Sequence, residues 1–247
     1  MRHIVACVPG FKDEELLGDC LESVRSAGMS VIYADGAYAL FLRPTLCAKH
    51  TREAATGVDV YALGRPDTCE SCGPSVESWR GDEARARQLV EAAGGRFIPA
   101  PASGPWPGEA EKRQALLEAA NQSGAELALF LDVDERVEIG PGFSDWLDGA
   151  LIGDVGILRL YQPGMAGELR LPRLLALGAG LEFRGPRDFD VYRGATKIAW
   201  PGMRTGGVEI PRAALCIRHE RVQRSEERHR LAGEYYCRRR AAHPVCA

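Results

Sequence analysis

The sequence predicts an α/β fold, a parallel sheet covered by helices on both faces, with a more irregular α+β C-terminal half. Three observations predict it. Short apolar runs alternate with helix-period segments from residue 3 to residue 131, the pattern of strands laid side by side under covering helices. Each of three runs stops at a polar or turn-forming signal: Pro9-Gly10, Asp35-Gly36 and Asp132-Val133-Asp134. Beyond Glu138 the helical periods give way to brief apolar runs split by Gly and Pro.

Taken in order, His3–Val8 is an apolar run closed by Pro9-Gly10 and reads as a buried strand. Asp13–Ala27 carries Leu16, Leu17, Cys20, Leu21 and Val24 at helical spacing, and Gly28 supplies the stop. Ser30–Ala34 is a second strand. Asp82–Ala93 is a helix closed by Gly94-Gly95, and Arg96–Ile98 a third strand. Pro99–Gly108, rich in Pro and Gly, is a loop. Glu109–Gln122 is a helix with Ala115, Leu116 and Ala119 on one face. Leu127–Leu131 is a wholly apolar strand that runs straight into Asp132-Val133-Asp134-Glu135. Phe143–Ala150 then forms a short helix, followed by strands at Val155–Tyr161, Glu168–Leu171, Leu181–Arg184 and Phe189–Arg193. Residues 37–80 fit no alternation and read as an insertion with its own anchor. With no internal repeat and no linker, residues 1–247 read as a single domain.

The chain has 247 residues, 45% hydrophobic and 26% charged, which excludes a mainly disordered protein. It holds no run of about 18 apolar residues and no leader pattern, so the expected protein is soluble and cytoplasmic, without a membrane span. Net charge is −3, yet Arg218–Arg240 holds eight Arg against four Glu. That stretch reads as a basic helix, either simply solvated or able to touch phosphate.

Two carboxylates on alternate positions of an extended segment point the same way. Asp132 and Asp134, at the end of a buried strand, therefore suit a hard divalent cation whose shell is completed by phosphate oxygens. The alternative is a solvated acidic turn. Eight cysteines are many for a reducing compartment, where they serve as thiols or metal ligands. Cys7 reads as a small buried hydrophobe. Cys47-x2-His50 and Cys69-x2-Cys72 form two pairs that can chelate one tetrahedral zinc and anchor the 37–80 insertion. Free thiols beside a surface histidine are the other reading.

The order of signals resembles the GT-A (Rossmann-like) nucleotide-sugar glycosyltransferases, specifically their family-2-like group, which implies a mixed sheet flanked by helices. The resemblance rests on Ile4–Glu15, Cys20-Leu21-Glu22-Ser23-Val24, Val31-Ile32-Tyr33-Ala34-Asp35-Gly36, Glu111-Lys112-Arg113 and Phe130–Val137. It covers residues 1–36 and 96–138 well, and 181–236 loosely. It implies that Pro9 and Asp35 contact the base and ribose of the donor. Lys112 and Arg113 would lie near the donor, Asp132 would face its ribose or sugar, and Asp134 would ligate Mn2+ or Mg2+. His219, within Leu215–Arg221, would complete the metal shell. Where family members carry His-Glu near the acceptor, this chain has Arg187-Asp188 within Phe183–Asp188. Asp188 would then be the general base, with Asp190 and Glu182 as rivals and a structural salt bridge at Arg187 as the alternative.

On that frame residues 96–138 form the donor and metal half, and 139–247 the acceptor-side half ending in the basic helix. The implied activity is metal-dependent, inverting transfer of a hexose or pentose from a nucleotide-diphosphate sugar to an acceptor hydroxyl. The acceptor is open: saccharide, small molecule, protein, or a nucleic acid met by the basic end. Two other readings are a nucleotidyltransferase, which would release pyrophosphate, and a zinc-stapled module that binds nucleic acid or protein without catalysis.

Overall fold

The structure, a computed structural model, describes residues 2–39, 42, 44–58, 60–61, 63, 65, 69–73, 78–149, 155–164, 167–185, 190–199 and 207–220. Strands β1 (Ile4–Pro9), β2 (Ser30–Ala34), β3 (Arg96–Ile98) and β4 (Leu127–Phe130) alternate with helices α1 (Glu14–Ser26), α2 (Ala48–Ala55), α3 (Glu83–Ala92) and α4 (Glu109–Asn121). The second half contributes β5 (Glu135–Ile139), α5 (Phe143–Gly149), β6 (Val155–Tyr161), β7 (Glu168–Ala176), β11 (Val208–Glu209) and β12 (Leu215–His219). A separate antiparallel sheet is made by β8 (Leu181–Phe183), β9 (Val191–Arg193) and β10 (Thr196–Ala199).

The large sheet runs β3-β2-β1-β4-β7-β6-β12-β5, with β11 beside β6. Its first four strands are parallel. The β4–β7, β7–β6 and β12–β5 pairs are antiparallel, so the sheet is mixed, as the resemblance implies, and not wholly parallel as the alternation alone suggests. Both faces are buried, and the side chains sort with the period of two that a strand imposes. Ile4, Ala6, Val8, Leu127 and Leu129 join one core cluster with α1 residues. Val5, Cys7, Ala128 and Phe130 join the other with α4 residues. All five apolar positions expected to line α1 are buried: Leu16, Leu17, Cys20, Leu21 and Val24. Each fully buried leucine contributes roughly 1.5–3 kcal/mol.

Several expectations need correction. The strand expected at Glu168–Leu171 runs on to Ala176 through Pro172. The register jumps there: Gly156 faces Leu174 while Ile157 faces Pro172, so Arg173 is the extra residue of a bulge. Proline lacks the N–H that a regular ladder needs, and bulges tolerate it. Strands β5, β10, β11 and β12 and helix α2 have no counterpart in the sequence reading, because each is short and lacks a clean period. The strand expected at Phe189–Arg193 begins at Val191, and Phe189 lies outside the described residues, as does Ala150 at the expected end of α5. The basic stretch from 221 onward also lies outside them. Among the described residues no helix is long and apolar enough to cross a membrane.

Candidate functional site

Parallel pairing of β2, β1 and β4 lays the three strand-end signals side by side. Pro9 is in register with Ala34 and Cys7 with Phe130. The Gly10 N–H donates to the Ala34 carbonyl (3.0 Å) and the Leu131 N–H to that of Cys7 (3.1 Å), which carries the pairing past the strand ends. In a sheet of this kind ligands collect at the carboxyl ends of the strands. Gly10 is required by its neighbour: a Cβ there would meet the Tyr33 hydroxyl at 2.4 Å. Gly36 is required twice, by φ of +101° and because a Cβ would meet that of Ala100 at 2.7 Å. Lys12, in the loop after β1, is a non-glycine residue at φ 52°, a conformation that costs energy and clusters at functional loops.

Lys112 rises from α4 into this end of the sheet, but its amine is committed to the fold. It donates to the carbonyls of Gly10 (2.6 Å) and Gly36 (2.7 Å), tying the first two loops together. Arg113, one residue on, donates to Glu109 (2.8 Å) and to Asp132 Oδ1 (3.0 Å).

Asp132 is held from two sides. Arg173 donates to its Oδ2 at 3.0 Å and to Glu135 Oε1 at 3.1 Å. Desolvation works against its charge, but Arg173 and Arg113 outweigh it and hold the carboxyl well below the usual carboxylate range. About a third of the Asp132 side chain (36%) stays open to solvent. Glu135 differs. Buried, and facing the charges of Asp132 and Asp134, it is pushed up to about 7 despite Arg173; its Oε2 accepts the Asp132 N–H at 2.8 Å. Arg136 locks the same turn to α1 through the carbonyls of Val133 (2.8 Å) and Leu16 (3.4 Å).

Asp134 is 1% exposed, and its Oδ2 stands 3.0 Å from His219 Nε2. This contact is made by β12. His219 is in register with Glu135 of β5, and the Glu220 N–H donates to the Asp134 carbonyl at 2.7 Å. The structure thus unites two residues that the resemblance assigns to one metal shell. A carboxylate and an imidazole, one buried and one 22% exposed, form a donor set that fits a divalent cation.

The base-side residues are placed differently. Pro9 is buried and Asp35 is 0% exposed. The chain returning from the insertion lies on Asp35: a Cβ on Gly81 would meet Glu14 Oε1 at 2.7 Å and Asp35 Oδ1 at 3.6 Å. Burial pushes the Asp35 carboxyl up, against the charge of Lys112.

In the insertion, the four expected ligands converge. Cys47 Sγ lies 3.7 Å from His50 Nδ1 and 4.0 Å from Cys69 Sγ, and His50 Nδ1 lies 3.2 Å from Cys72 Sγ. All four donor atoms fall within 4.8 Å of one another and could hold a metal. Cys47 caps α2, whose N-terminal N–H groups, that of His50 first, draw its thiol below the ordinary value. Burial and the neighbouring thiols push Cys72 up.

Of the residues that the resemblance places near an acceptor, Asp188 lies outside the described residues. Asp190 accepts from Lys197 at 2.6 Å, and Glu182 is paired with Arg184. The β8 sheet reaches the large one through Phe183, edge-on to Phe130 at 4.9 Å, and reaches α4 through the Phe183 N–H, which donates to Gln114 Oε1 (2.9 Å).

Sequence reasoning missed Arg173, Glu109 and Glu135. Arg173 had a signal: one charge inside the apolar run Leu171–Leu175, which burial forces to find a partner.

No family profile matches the chain, and no curated protein matches it in sequence. Solved structures do. S. aureus TarS is 14% identical, with a TM-score of 0.37, over 67% of this chain and 23% of that one. A mycobacterial protein is 17% identical, with a TM-score of 0.36, over 66% and 43%. Glucosyl-3-phosphoglycerate synthase from Mycobacterium tuberculosis, solved with Mn2+, UDP-glucose and phosphoglyceric acid, is 15% identical, with a TM-score of 0.35, over 67% and 45%. The chain spans less than half the length of each of these structures.

Proposed function

We propose that this chain transfers a hexose or pentose from a nucleotide-diphosphate sugar to an acceptor hydroxyl, with inversion. The observation that supports it above all is the Asp134–His219 contact of 3.0 Å at the end of β4, beside the ends of β1 and β2. Asp134 and His219 would hold Mn2+ or Mg2+, which supplies positive charge to the diphosphate leaving group. Arg173 and Arg113 keep Asp132 ionised and aimed, ready to accept hydrogen bonds from donor hydroxyls. A carboxylate on the acceptor side, Asp188 by the sequence resemblance, takes the proton of the attacking hydroxyl. The acceptor oxygen bonds to the anomeric carbon as the bond to the diphosphate breaks.

In the insertion, Cys47, His50, Cys69 and Cys72 hold a separate, structural zinc. A tetrahedron with Zn–S of about 2.3 Å and Zn–N of about 2.0 Å has edges of about 3.5–3.8 Å. Three of the six observed separations, 3.2, 3.7 and 4.0 Å, lie near that range, and all six are within 4.8 Å.

The test is a panel of nucleoside diphosphates and nucleotide sugars, with and without Mn2+, read by thermal shift and by product analysis. Selective, metal-dependent stabilisation by one donor and release of free nucleoside diphosphate are expected. Pyrophosphate as the product would replace this reading with nucleotidyl transfer.

A further inference from the structure

We propose that the Cys47–His50–Cys69–Cys72 centre is the clasp that holds the insertion over the Asp35 end of the sheet, so that zinc occupancy decides whether that end is covered. This rests on the structural zinc assigned above, and not on the donor chemistry.

The insertion leaves the sheet and comes back at one place. Its outgoing arm follows Gly36. There the Ala37 N–H donates to the Trp79 carbonyl (2.9 Å), the Trp106 N–H to that of Ala37 (2.9 Å), and the Ala39 N–H to that of Trp106 (2.8 Å). Trp106 Nε1 donates to the carbonyl of Asp35 itself at 2.6 Å, and Trp79 Nε1 to that of Pro101 at 3.0 Å. The return arm, through Trp79 and Gly81, lies on the Asp35 carboxylate, and the Asp82 N–H ends it on Glu14 (2.9 Å). The cover is therefore made of both arms, and it stays in place only while they stay together.

Two devices join them farther out. Thr45 and Gly73 exchange both backbone hydrogen bonds at 3.0 Å. Immediately beyond, Cys47 and His50 of the outgoing arm meet Cys69 and Cys72 of the return arm. The Cys47 N–H also points at Cys72 Sγ (3.4 Å), a bond that favours the thiolate a metal requires. The third satellite core, Phe11, Ala37 and Leu42 with Tyr38 and Trp79 against them, is the apolar cluster that supports the arms among the described residues. So small a cluster does little to offset the entropy of holding the two arms together. A tetrahedral metal that joins the arms removes most of that freedom, as it does in domains that fold only with zinc.

The experiment uses the full chain, as purified and after zinc extraction under reducing conditions, with metal content and amide hydrogen exchange measured on both. About one zinc per chain is expected as purified. Extraction should raise exchange about tenfold or more in peptides covering 35–39 and 78–82, leaving α1 and β4 as they were. Zinc should restore protection and Mn2+ alone should not. A Cys69→Ser/Cys72→Ser variant should reproduce the extracted pattern, with α1 and β4 reporting that the rest remains folded. Zinc-free native protein, a Cys–Cys disulfide in place of the metal, unchanged protection on extraction, or rescue by Mn2+ would each overturn the proposal. A protein that binds zinc and protects those peptides, yet binds no nucleoside diphosphate, leaves the clasp standing and removes the glycosyl-transfer reading.

Discussion

Arg173 on β7 reaches Asp132 at the end of β4, Nη2 to Oδ2 at 3.0 Å, and the same nitrogen lies 3.1 Å from Glu135. One guanidinium thus holds two carboxylates of the Asp132–Glu135 turn, and a strand from the second half of the chain fixes the geometry of the first.

Arg173→Leu should leave Glu135 buried without its main counter-charge and Asp132 held from one side only. The expected loss is about 3 kcal/mol in urea unfolding, toward the lower end for a broken buried pair because Asp132 is partly solvated. Arg173→Lys should recover part of it, since an ammonium keeps the charge and loses the fork.

Asp134→Asn and His219→Ala should both act on metal affinity. Each should weaken Mn2+ binding by more than about tenfold, a bound set by what loss of a mere orienting partner costs. Titration followed by electron paramagnetic resonance measures it. Without metal, the unfolding midpoint should barely change for Asp134→Asn, whereas His219→Ala takes the imidazole from a buried carboxylate and should lower it. Unaltered Mn2+ affinity in both variants would remove these two residues from the metal shell.

The raised carboxyl of Glu135 makes a prediction about pH. Its ordinary value of 4.5 applies to the unfolded chain and about 7 to the folded one, so between these the folded state binds the extra proton. Its stabilising effect is complete below about 4.5 and is lost as pH rises through 7. Unfolding free energy should therefore fall between pH 5 and pH 8, by roughly 1–3 kcal/mol from this group. Glu135→Gln, which cannot titrate, should flatten that slope. Asp132, shifted the other way, contributes stability that is complete above its ordinary value of 3.8 and is lost only as pH falls below it, so the two windows are separable.

Lys112→Met should strand the carbonyls of Gly10 and Gly36 in a buried setting and cost about 2 kcal/mol, read by thermal or urea unfolding. Because the amine joins two loops, peptides on either side of it should lose hydrogen-exchange protection together.

How much of this was legible beforehand depends on the range over which each signal acts. The β1–α1–β2 start and the β4 strand were read within a residue or two, because their periods and stops are local. Cys47, His50, Cys69 and Cys72 were readable because each pair is short enough to chelate. Asp134 was readable from its place at a strand end. The Arg173 contact was not, since it depends on a register jump that only pairing with β6 creates. The burial of Asp35 was equally hidden: it follows from Trp79 and Gly81 returning to the start of their own excursion. The resemblance could name His219, but its contact with Asp134 needs β12 to pair with β5, and charged residues such as Arg136, Glu138 and Arg218 interrupt the apolar pattern of both strands.

The irregularity in β7 has a cost for anyone who would tidy it. Deleting the surplus residue beside Pro172 would let that ribbon run straight, and every side chain past the cut would then swap faces. A flawless ladder and a guanidinium aimed at Asp132 are alternatives between which this chain has chosen.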